Sequence, residues 1–176
     1  IKCRGQQPDM HCISPLMLWL ALHFPQLPLE AFTASSYIAG GQTAQIVLAQ
    51  NRVHLANAAA ISAGIVPGCS LATAHSIEPS LEHFRRDPNR EATELQKLAE
   101  SLYCFSSLFS LAPPDSIVLE IHGSLKLYTQ ADLLIATKEL CQKLGFTCLV
   151  GTATTATAAI TLARSQSRQL NDVALS

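Results

Sequence analysis

Few side chains of this 176-residue chain have a type and spacing suited to chemistry. The acidic residue Asp115 follows Pro113 and Pro114, and a second carboxylate, Glu120, lies five residues further along. Carboxylates that share a divalent ion must face the same space, whereas residues five apart face opposite sides of a regular strand. The spacing therefore argues against a metal pair, and Asp115 is also a common residue of turns.

Cysteine and histidine supply a second set of possible ligands. Cys3, His11 and Cys12 have metal-binding types, but no second ligand pair accompanies them, so we interpret them as part of an N-terminal extension. His23 and His122 are interpreted as scaffold residues. The chain has six cysteines and no CxxC pair, which favours reduced thiols in a cytoplasmic protein. These cysteines are Cys3, Cys12, Cys69, Cys104, Cys141 and Cys148.

Composition limits the function classes further. Apolar residues make up 48% of the chain and charged residues 14%, which is typical of a globular domain rather than a disordered tail. The formal net charge is −1, without the basic stripe of an autonomous nucleic-acid binder. The chain has one local basic cluster, formed by Arg85, Arg86 and Arg90. We interpret it as a solvated loop, with a phosphate contact as the alternative. No apolar run is long enough to span a bilayer.

The elements that must position these residues are read from hydrophobic periodicity and turn residues. Residues 18–24 are predicted to form a buried strand, after which Pro25 and Pro28 disfavour a regular helix. Gly40 and Gly41 indicate a turn. Residues 46–48 and 53–56 predict a hairpin around Gln50 and Asn51, followed by a helix over 57–63 that Gly64 ends. Ser70 is predicted to cap a second short helix, and Pro79 to close this segment.

The second half of the chain shows clearer periodicity. Residues 91–106 predict a helix, residues 117–121 a strand, and Thr129 with Asp132 resembles a capping box that opens another helix. Gly145 is predicted to end that helix, ahead of a strand over 146–151 and a helix over 154–164. The apolar face of the helix over 91–106 is predicted to comprise Ala92, Leu95, Leu98, Ala99, Leu102 and Phe105.

The order of these elements predicts an α+β fold. Without residues 35–87, the order is strand, helix, strand, strand, helix, strand, which is the ferredoxin-like pattern of an antiparallel sheet with helices on one face. Residues 35–87 are then a small inserted subdomain. Many unrelated proteins share this pattern, so the fold does not by itself indicate a function.

Four segments, in a fixed order, resemble a known family. Residues 53–81, VHLANAAAISAGIVPGCSLATAHSIEPSL, resemble the fingers segment of Y-family translesion DNA polymerases. Residues 86–124 resemble the long palm helix and the "SxDEAFLDVTG" strand, and residues 144–165 resemble the "SAGVAxNKxLAKxAS" segment. Residues 17–32, MLWLALHFPQLPLEAF, resemble the first strand in the form seen in ImuB-like proteins.

The resemblance implies a domain organisation. Residues 17–34 and 88–165 correspond to a palm of ferredoxin-like fold, and residues 35–87 to an inserted fingers subdomain. Residues 1–16 are an N-terminal extension and residues 166–176 a C-terminal tail. The family's little finger and clamp-binding tail are expected after the last helix, so the chain is expected to be a fragment of a longer protein.

The resemblance also implies which residues stand at the catalytic positions. Active members hold two divalent ions with one carboxylate on the first strand and two adjacent ones on the hairpin strand. The first position is Ala21, and the adjacent pair is Asp115 and Ser116, so one of three carboxylates remains. The second acidic position of the first motif is His23. The aromatic sugar gate is replaced by Gln26, and the later structural Asp by Glu120.

The residues that grip the nucleotide are also replaced. The fingers Tyr and Arg fall at Ala58 and Ile61, and the lysines of the last helix fall at Ala156 and Ile160. Magnesium normally needs one or two carboxylates together with bound phosphates. No cofactor is therefore expected; Asp115 is at most a vestigial metal ligand, and Mg²⁺ is expected only with residual polymerase activity.

Three functions follow as hypotheses. The leading one is a catalytically inactive polymerase-like adaptor in bacterial DNA repair, translesion synthesis and SOS mutagenesis. Its expected partners are DNA, bound weakly, and a sliding clamp, a RecA-like accessory protein and an error-prone replicative-class polymerase, reached mainly through missing C-terminal regions; its expected location is the cytoplasm, at the nucleoid. The alternatives are a divergent active translesion polymerase and an unrelated ferredoxin-like module for binding or dimerisation.

Overall fold

The computed structural model describes residues 17–34 and 43–174, with side chains up to residue 167. Its elements are, in chain order, β1 Trp19–His23, α1 Leu27–Thr33, β2 Gln45–Ala49, β3 Arg52–Ala56, α2 Ala58–Ser62, α3 Leu71–Ile77, β4 Glu82–Arg85, α4 Pro88–Ser101, β5 Phe109–Ala112, β6 Ser116–Glu120, α5 Gln130–Lys143, β7 Leu149–Ala153 and α6 Ala156–Ala174. Among the described helices, none is long and apolar enough to cross a bilayer. Cys3, His11, Cys12 and the turn at Gly40 and Gly41 lie outside the described residues.

The larger sheet, sheet A, has the strand order β5-β6-β1-β7, and all its neighbouring strands are antiparallel. With α4 after β1 and α5 after β6, this is the order of the ferredoxin-like pattern. The α+β fold class predicted from the sequence is therefore confirmed.

The two faces of sheet A are covered by different helices. Alternation along β1 sends Leu20 and Leu22 into the main core and Ala21 to the opposite face. Residues of α4 and α5 complete the main core, as predicted for helices on one face. The structure adds that α6, which follows the six-element pattern, covers the other face, where Ala159 and Ala163 pack on Ala21 and Val118.

The smaller sheet, sheet B, lies between β1 and α4 in the chain and has the order β3-β2-β4. The β2–β3 hairpin forms as predicted, with Gln50 and Asn51 at positive φ in the turn. Asn57 and Ser70 cap α2 and α3 with their side chains, which confirms the predicted cap at Ser70. Sheet B and its short helices enclose a second apolar core.

Some predicted boundaries were wrong. Helix α1 begins at Leu27, two residues after Pro25, and Pro28 falls in its first turn, where proline costs no intrahelical hydrogen bond. Strand β4 was missed because its residues lack an alternating apolar pattern. Strand β7 begins at Leu149, later than predicted, because the end of α5 continues into a turn.

Helix α4 also differs from its prediction. It begins at Pro88, three residues early, because Asp87 caps it through the backbone N–H groups of Asn89 and Arg90. It ends at Ser101, followed by a 3₁₀ turn over Leu102–Cys104. Ala92 is exposed rather than part of the apolar face.

Candidate functional site

The candidate site lies where β1 ends and β6 begins. His23 is paired with Ser116 in the antiparallel register, and the N–H of Phe24 donates to the carbonyl of Asp115 at 2.8 Å. These contacts place Asp115 beside the last residues of β1, at the edge of the face covered by α6. The predicted catalytic positions, Ala21 on β1 and Asp115 with Ser116 at the start of β6, therefore belong to paired strands although they are far apart in the chain.

The carboxylate of Asp115 is held by three side chains. Arg164 donates from its guanidinium to Oδ1 at 2.8 Å, and the hydroxyl of Ser116 donates to the same oxygen at 2.9 Å. Nδ1 of His23 lies 3.3 Å from that oxygen. His23 is buried, whereas Asp115 and Arg164 are partly exposed. The site is thus a compact cluster in which one carboxylate is compensated by a guanidinium.

The electrostatics of the cluster favour an ionised Asp115. Burial raises the pKa of its carboxyl, but hydrogen bonds with His23, Arg164 and Ser116, together with the charge of His23, outweigh burial and hold the pKa well below its usual range. Asp115 therefore carries its negative charge at neutral pH, and Arg164 provides the compensating positive charge.

Position 21 on β1, where the family pattern has its first carboxylate, is buried by the packing of α6 on the sheet. Ala21 is fully buried, and the residue opposite it on β7 is Gly151. A Cβ at Gly151 would lie 2.5 Å from the carbonyl oxygen of Ala159 and 2.6 Å from the nitrogen of Ala163. Helix α6 therefore contacts the sheet backbone directly at this point. A carboxylate in place of the Ala21 methyl group would be buried beneath that helix.

The other positions where a family residue is predicted to be replaced lie in three places. Ala156 and Ile160, where lysines were expected in an active member, pack on α6 against the Ala21 cluster. Gln26 and Ala58 line a cleft of about 500 Å³ between α1, the start of α2 and the α5–β7 turn. Ile61 is exposed on α2.

The cleft contains a carboxyl group, that of Glu30, whose pKa is raised. Both oxygens of Glu30 accept from the backbone N–H of Thr147 at 3.0 Å. Burial nevertheless raises the pKa of Glu30 to about 7, although the hydrogen bonds from Thr147 lower it. Sequence reasoning did not single out Glu30, because its partner lies 117 residues away in the chain.

Glu120 lies at the other end of β6 from Asp115. Its carboxylate accepts from the backbone N–H of His122 at 2.9 Å, and its carbonyl accepts from the hydroxyl of Ser106 at 2.6 Å. A strand spans roughly 3.3 Å per residue, so the two carboxylates are well beyond the reach of a shared ion. Glu120 and His122 therefore form a local contact outside the site.

Two of the three arginines of the basic cluster bind other groups of the protein. Arg86 donates to both oxygens of Glu91, at 2.8 and 2.9 Å. Arg90 donates to the carbonyl of Ala31 at 2.7 Å, and its guanidinium lies over the ring of Phe32. Arg85 is exposed on β4. Two of the three arginines thus hold α4 against neighbouring elements instead of forming a solvated loop.

The donor set does not fit a pair of divalent ions. Ala21 has no side-chain oxygen, Ser116 offers a hydroxyl, and Oδ1 of Asp115 is paired with Arg164. Within the described ranges, no group of three His, Cys, Asp or Glu side chains is arranged to hold a metal ion. Arg164 is the residue of this cluster that sequence reasoning missed, because nothing in its local sequence indicates a partner 49 residues away.

Comparison with solved structures shows the same fold in DNA polymerases. A post-insertion binary complex of Dbh DNA polymerase matches with a TM-score of 0.68 and 18% identity, over 85% of this chain and 46% of that one. DinB from Sulfolobus solfataricus matches with a TM-score of 0.63 and 18% identity, over 85% and 46%. A Y-family DNA polymerase chimera built on Dbh gives 0.64 and 18%, over 85% and 46%. The chain spans less than half the length of these proteins.

Sequence comparison identifies the family. No curated protein matches the chain. The model of the impB/mucB/samB family matches residues 32–164, which is well over half of the chain and runs from the end of α1 to the first half of α6. Together with the shared fold, this confirms the resemblance to Y-family polymerases drawn from the sequence. The chain belongs to the impB/mucB/samB family.

Proposed function

We propose that this protein is a catalytically inactive, Y-family polymerase-like adaptor in DNA damage tolerance and damage-induced mutagenesis, of the ImuB type. The observation that carries the proposal is the Asp115 cluster, in which the carboxylate is bound by the guanidinium of Arg164 and the hydroxyl of Ser116 and has no second carboxylate beside it. The family and the fold support a role in DNA repair and translesion synthesis. A polymerase fold that is kept without an active site favours a role in recruiting other proteins over a role in nucleotide transfer.

The side chain at position 21 also supports the proposal. Two-metal catalysis requires carboxylates from two strands that face one solvent-accessible space. Here α6 covers the Ala21 face with Ala159 and Ala163, and Gly151 lets the helix approach the backbone. Ala21 offers no side-chain oxygen to such a space, so the first-strand ligand is missing.

We further assign residues 17–34 and 88–165 to the palm and residues 35–87 to the fingers. Sheet A and sheet B, each with its own apolar core, support this division. As an adaptor the protein would contact a sliding clamp, a RecA-like accessory protein and an error-prone replicative-class polymerase. The family match and the presence of sheet B between β1 and α4 count against an unrelated ferredoxin-like module.

Primer extension tests the proposal. The protein is incubated with undamaged and lesion-containing primer–templates, with Mg²⁺ or Mn²⁺, beside an active Y-family polymerase. We expect no extension above background for the wild type and no difference for Asp115→Ala. Extension by the wild type that Asp115→Ala abolishes would instead establish the alternative, a divergent active translesion polymerase.

Partner capture tests the adaptor role. The full-length protein is used as bait with purified sliding clamp, RecA-like protein and replicative-class polymerase, and binding is measured by size-exclusion chromatography. We expect at least one stable complex that Asp115→Ala leaves unchanged, because the cluster is a remnant of the catalytic site. Failure to bind all three would contradict the adaptor role while leaving the inactivity result unaffected.

A further inference from the structure

One carboxyl group lies in the cleft between α1, the start of α2 and the α5–β7 turn, and no basic side chain accompanies it among the described lining residues. The cleft has a volume of about 500 Å³, and the carboxyl group is that of Glu30. A carboxylate that is buried without a compensating cation is costly. The cleft therefore favours a ligand that brings a positive charge.

The carboxyl group of Glu30 is anchored, but most of its capacity to accept hydrogen bonds is unused. Both of its oxygens accept from the same donor, the backbone N–H of Thr147, at 3.0 Å. Within residues 17–34 and 43–167, no second donor binds them. An ionised carboxylate offers about four acceptor sites. Because Glu30 and Thr147 both line the cleft, the remaining sites are available to a ligand there.

The other polar side chains described in the cleft are neutral. Gln26 lies at the start of α1, Gln142 on α5 and Gln45 on β2. Gln45 donates from its amide nitrogen to Glu82 at 2.8 Å, which leaves its amide oxygen as an acceptor. Ala58 stands where the family pattern has a tyrosine that holds the triphosphate. The lining therefore suits a ligand rich in N–H donors and does not suit a triphosphate.

We propose that this cleft binds a guanidinium group, with Glu30 as its counter-ion. A guanidinium presents five N–H donors in one plane, accepts no hydrogen bond and stays charged throughout the pH range in which proteins fold. Its fork matches a carboxylate through two parallel N–H···O bonds and leaves further donors for the amide oxygens of the lining. An ammonium ion is more strongly hydrated, so it loses more on leaving water.

Protonation of Glu30 controls the proposed site. Burial raises its pKa to about 7, and a cation binds the ionised form, so the affinity falls as the pH drops through that value. The charge of Glu30 also acts on the thiols of Cys141 on α5 and Cys148 ahead of β7, and the charge of Lys138 acts on Cys148. On the side of sheet B, Glu82 is the charged group bound to a lining amide. A variant without the Glu30 carboxyl therefore separates its titration from theirs.

An NMR titration tests the proposal. Amide ¹H–¹⁵N spectra are recorded with methylguanidinium chloride and with methylurea, a neutral compound of the same planar shape, at constant ionic strength. We expect a saturable shift of the Thr147 amide with methylguanidinium at pH 8 and none with methylurea. Binding should be about tenfold weaker at pH 6, because roughly a tenth of Glu30 is ionised one pH unit below a pKa of about 7. Equal binding at both pH values, or equal shifts with methylurea, would overturn the proposal.

Variants assign the binding to Glu30. Glu30→Gln keeps an oxygen for the N–H of Thr147 and should abolish the methylguanidinium shifts at pH 8. The matched control, Glu139→Gln, makes the same change of net charge at an exposed position of α5 and should leave the titration unchanged. Undiminished binding by Glu30→Gln would contradict the assignment. The comparison of pH 8 with pH 6 in the wild type decides the question even where a variant fails to fold.

The source of the guanidinium is separated by a second probe. Both small guanidine compounds and the arginine side chains of proteins carry this group. N-acetylarginine amide, titrated at pH 8, represents an arginine within a polypeptide. Binding as tight as that of methylguanidinium supports a site for an arginine of a partner protein, and binding of methylguanidinium alone supports a site for a small compound.

Discussion

Asp115 shows how the meaning of one residue depends on its neighbours. Its type and its place after two prolines fit a turn residue, and its place in the family pattern fits a metal ligand. In the folded protein its carboxylate is bound to Arg164, Ser116 and His23. A side chain that the family pattern predicted as a metal ligand thus forms an internal ion pair here.

Replacement of Asp115 by Asn is expected to lower the stability at pH 7 by about 1 kcal/mol, because the partly exposed ion pair with Arg164 is only moderately strong. The folded-state pKa of Asp115 is depressed, so its contribution is present above the unfolded pKa of about 3.9 and declines as the pH falls below that value. Urea unfolding between pH 3 and pH 7 measures the difference. A double-mutant cycle with Arg164→Ala should show coupling at pH 7; additive effects would contradict the ion pair.

Glu30 is expected to have the opposite pH dependence. Its pKa is raised to about 7 in the folded protein, whereas an unfolded glutamate titrates near ~4.3. Stability is therefore highest at and below the unfolded value and falls as the pH rises towards 7. Glu30→Gln, which keeps an oxygen to accept from Thr147, should be more stable than the wild type at pH 8 by about 1 kcal/mol, with a smaller difference at pH 5. Equal gains at both pH values would argue against a buried, titrating Glu30.

At the scale of elements, small residues decide how α6 meets the sheet. Ala21, Gly151, Ala159 and Ala163 present almost no side-chain volume between the helix and strands β1 and β7. The helix consequently packs close enough to place Arg164 beside Asp115. Close packing and the ion pair therefore have a common cause in the sequence.

Gly151→Ala is expected to lower the unfolding free energy by about 2 kcal/mol or more, because the new methyl group would collide with the backbone of α6. Chemical denaturation measures the loss, and the crystal structure of the variant should show α6 displaced. Gly123→Ala is the matched control, since Gly123 has a φ of −62° and open space around it. A loss of similar size in the control would show that the effect is not one of packing on α6.

The β2–β3 hairpin offers a test of local backbone energetics. Gln50 and Asn51 have φ values of 51° and 62°, a left-handed pair in which asparagine is tolerated far better than glutamine. Gln50→Asn should therefore stabilise the protein by about 0.5 kcal/mol, and Gln50→Val should destabilise it by about 1 kcal/mol. Thermal unfolding of both variants gives the comparison. A neutral result for Gln50→Val would contradict the left-handed geometry.

For the whole molecule, charge limits the interaction with DNA. The net charge is −1, and Arg86 and Arg90 are engaged within the fold. We expect nonspecific DNA binding with a Kd of about 10 μM or weaker at physiological salt and a shallow salt dependence. Fluorescence anisotropy at two salt concentrations measures both quantities. Submicromolar binding with a steep salt slope, reduced by Arg85→Ala, would show instead that β4 carries a phosphate-binding surface.

The sequence by itself determined the local structure, and it predicted which family residues are replaced. The hairpin turn, the caps at Ser70 and Thr129 and the helix end at Gly145 all depend on side chains and backbone within a few residues. Periodicity also predicted the strand and helix order that fixes the α+β fold. It failed at Pro28, because the first turn of helix α1 tolerates proline. It also failed at β4, which forms by pairing with β2 although its residues lack an alternating apolar pattern.

The tertiary structure alone decided what those residues do. It placed α6 on the second face of sheet A, and it joined Arg164 to Asp115 and Glu30 to Thr147. Contacts between residues 49 and 117 positions apart arise from how helices and strands pack, which no local pattern encodes. The sequence therefore indicated which carboxylates are missing, and the fold decided that a guanidinium holds the one that remains.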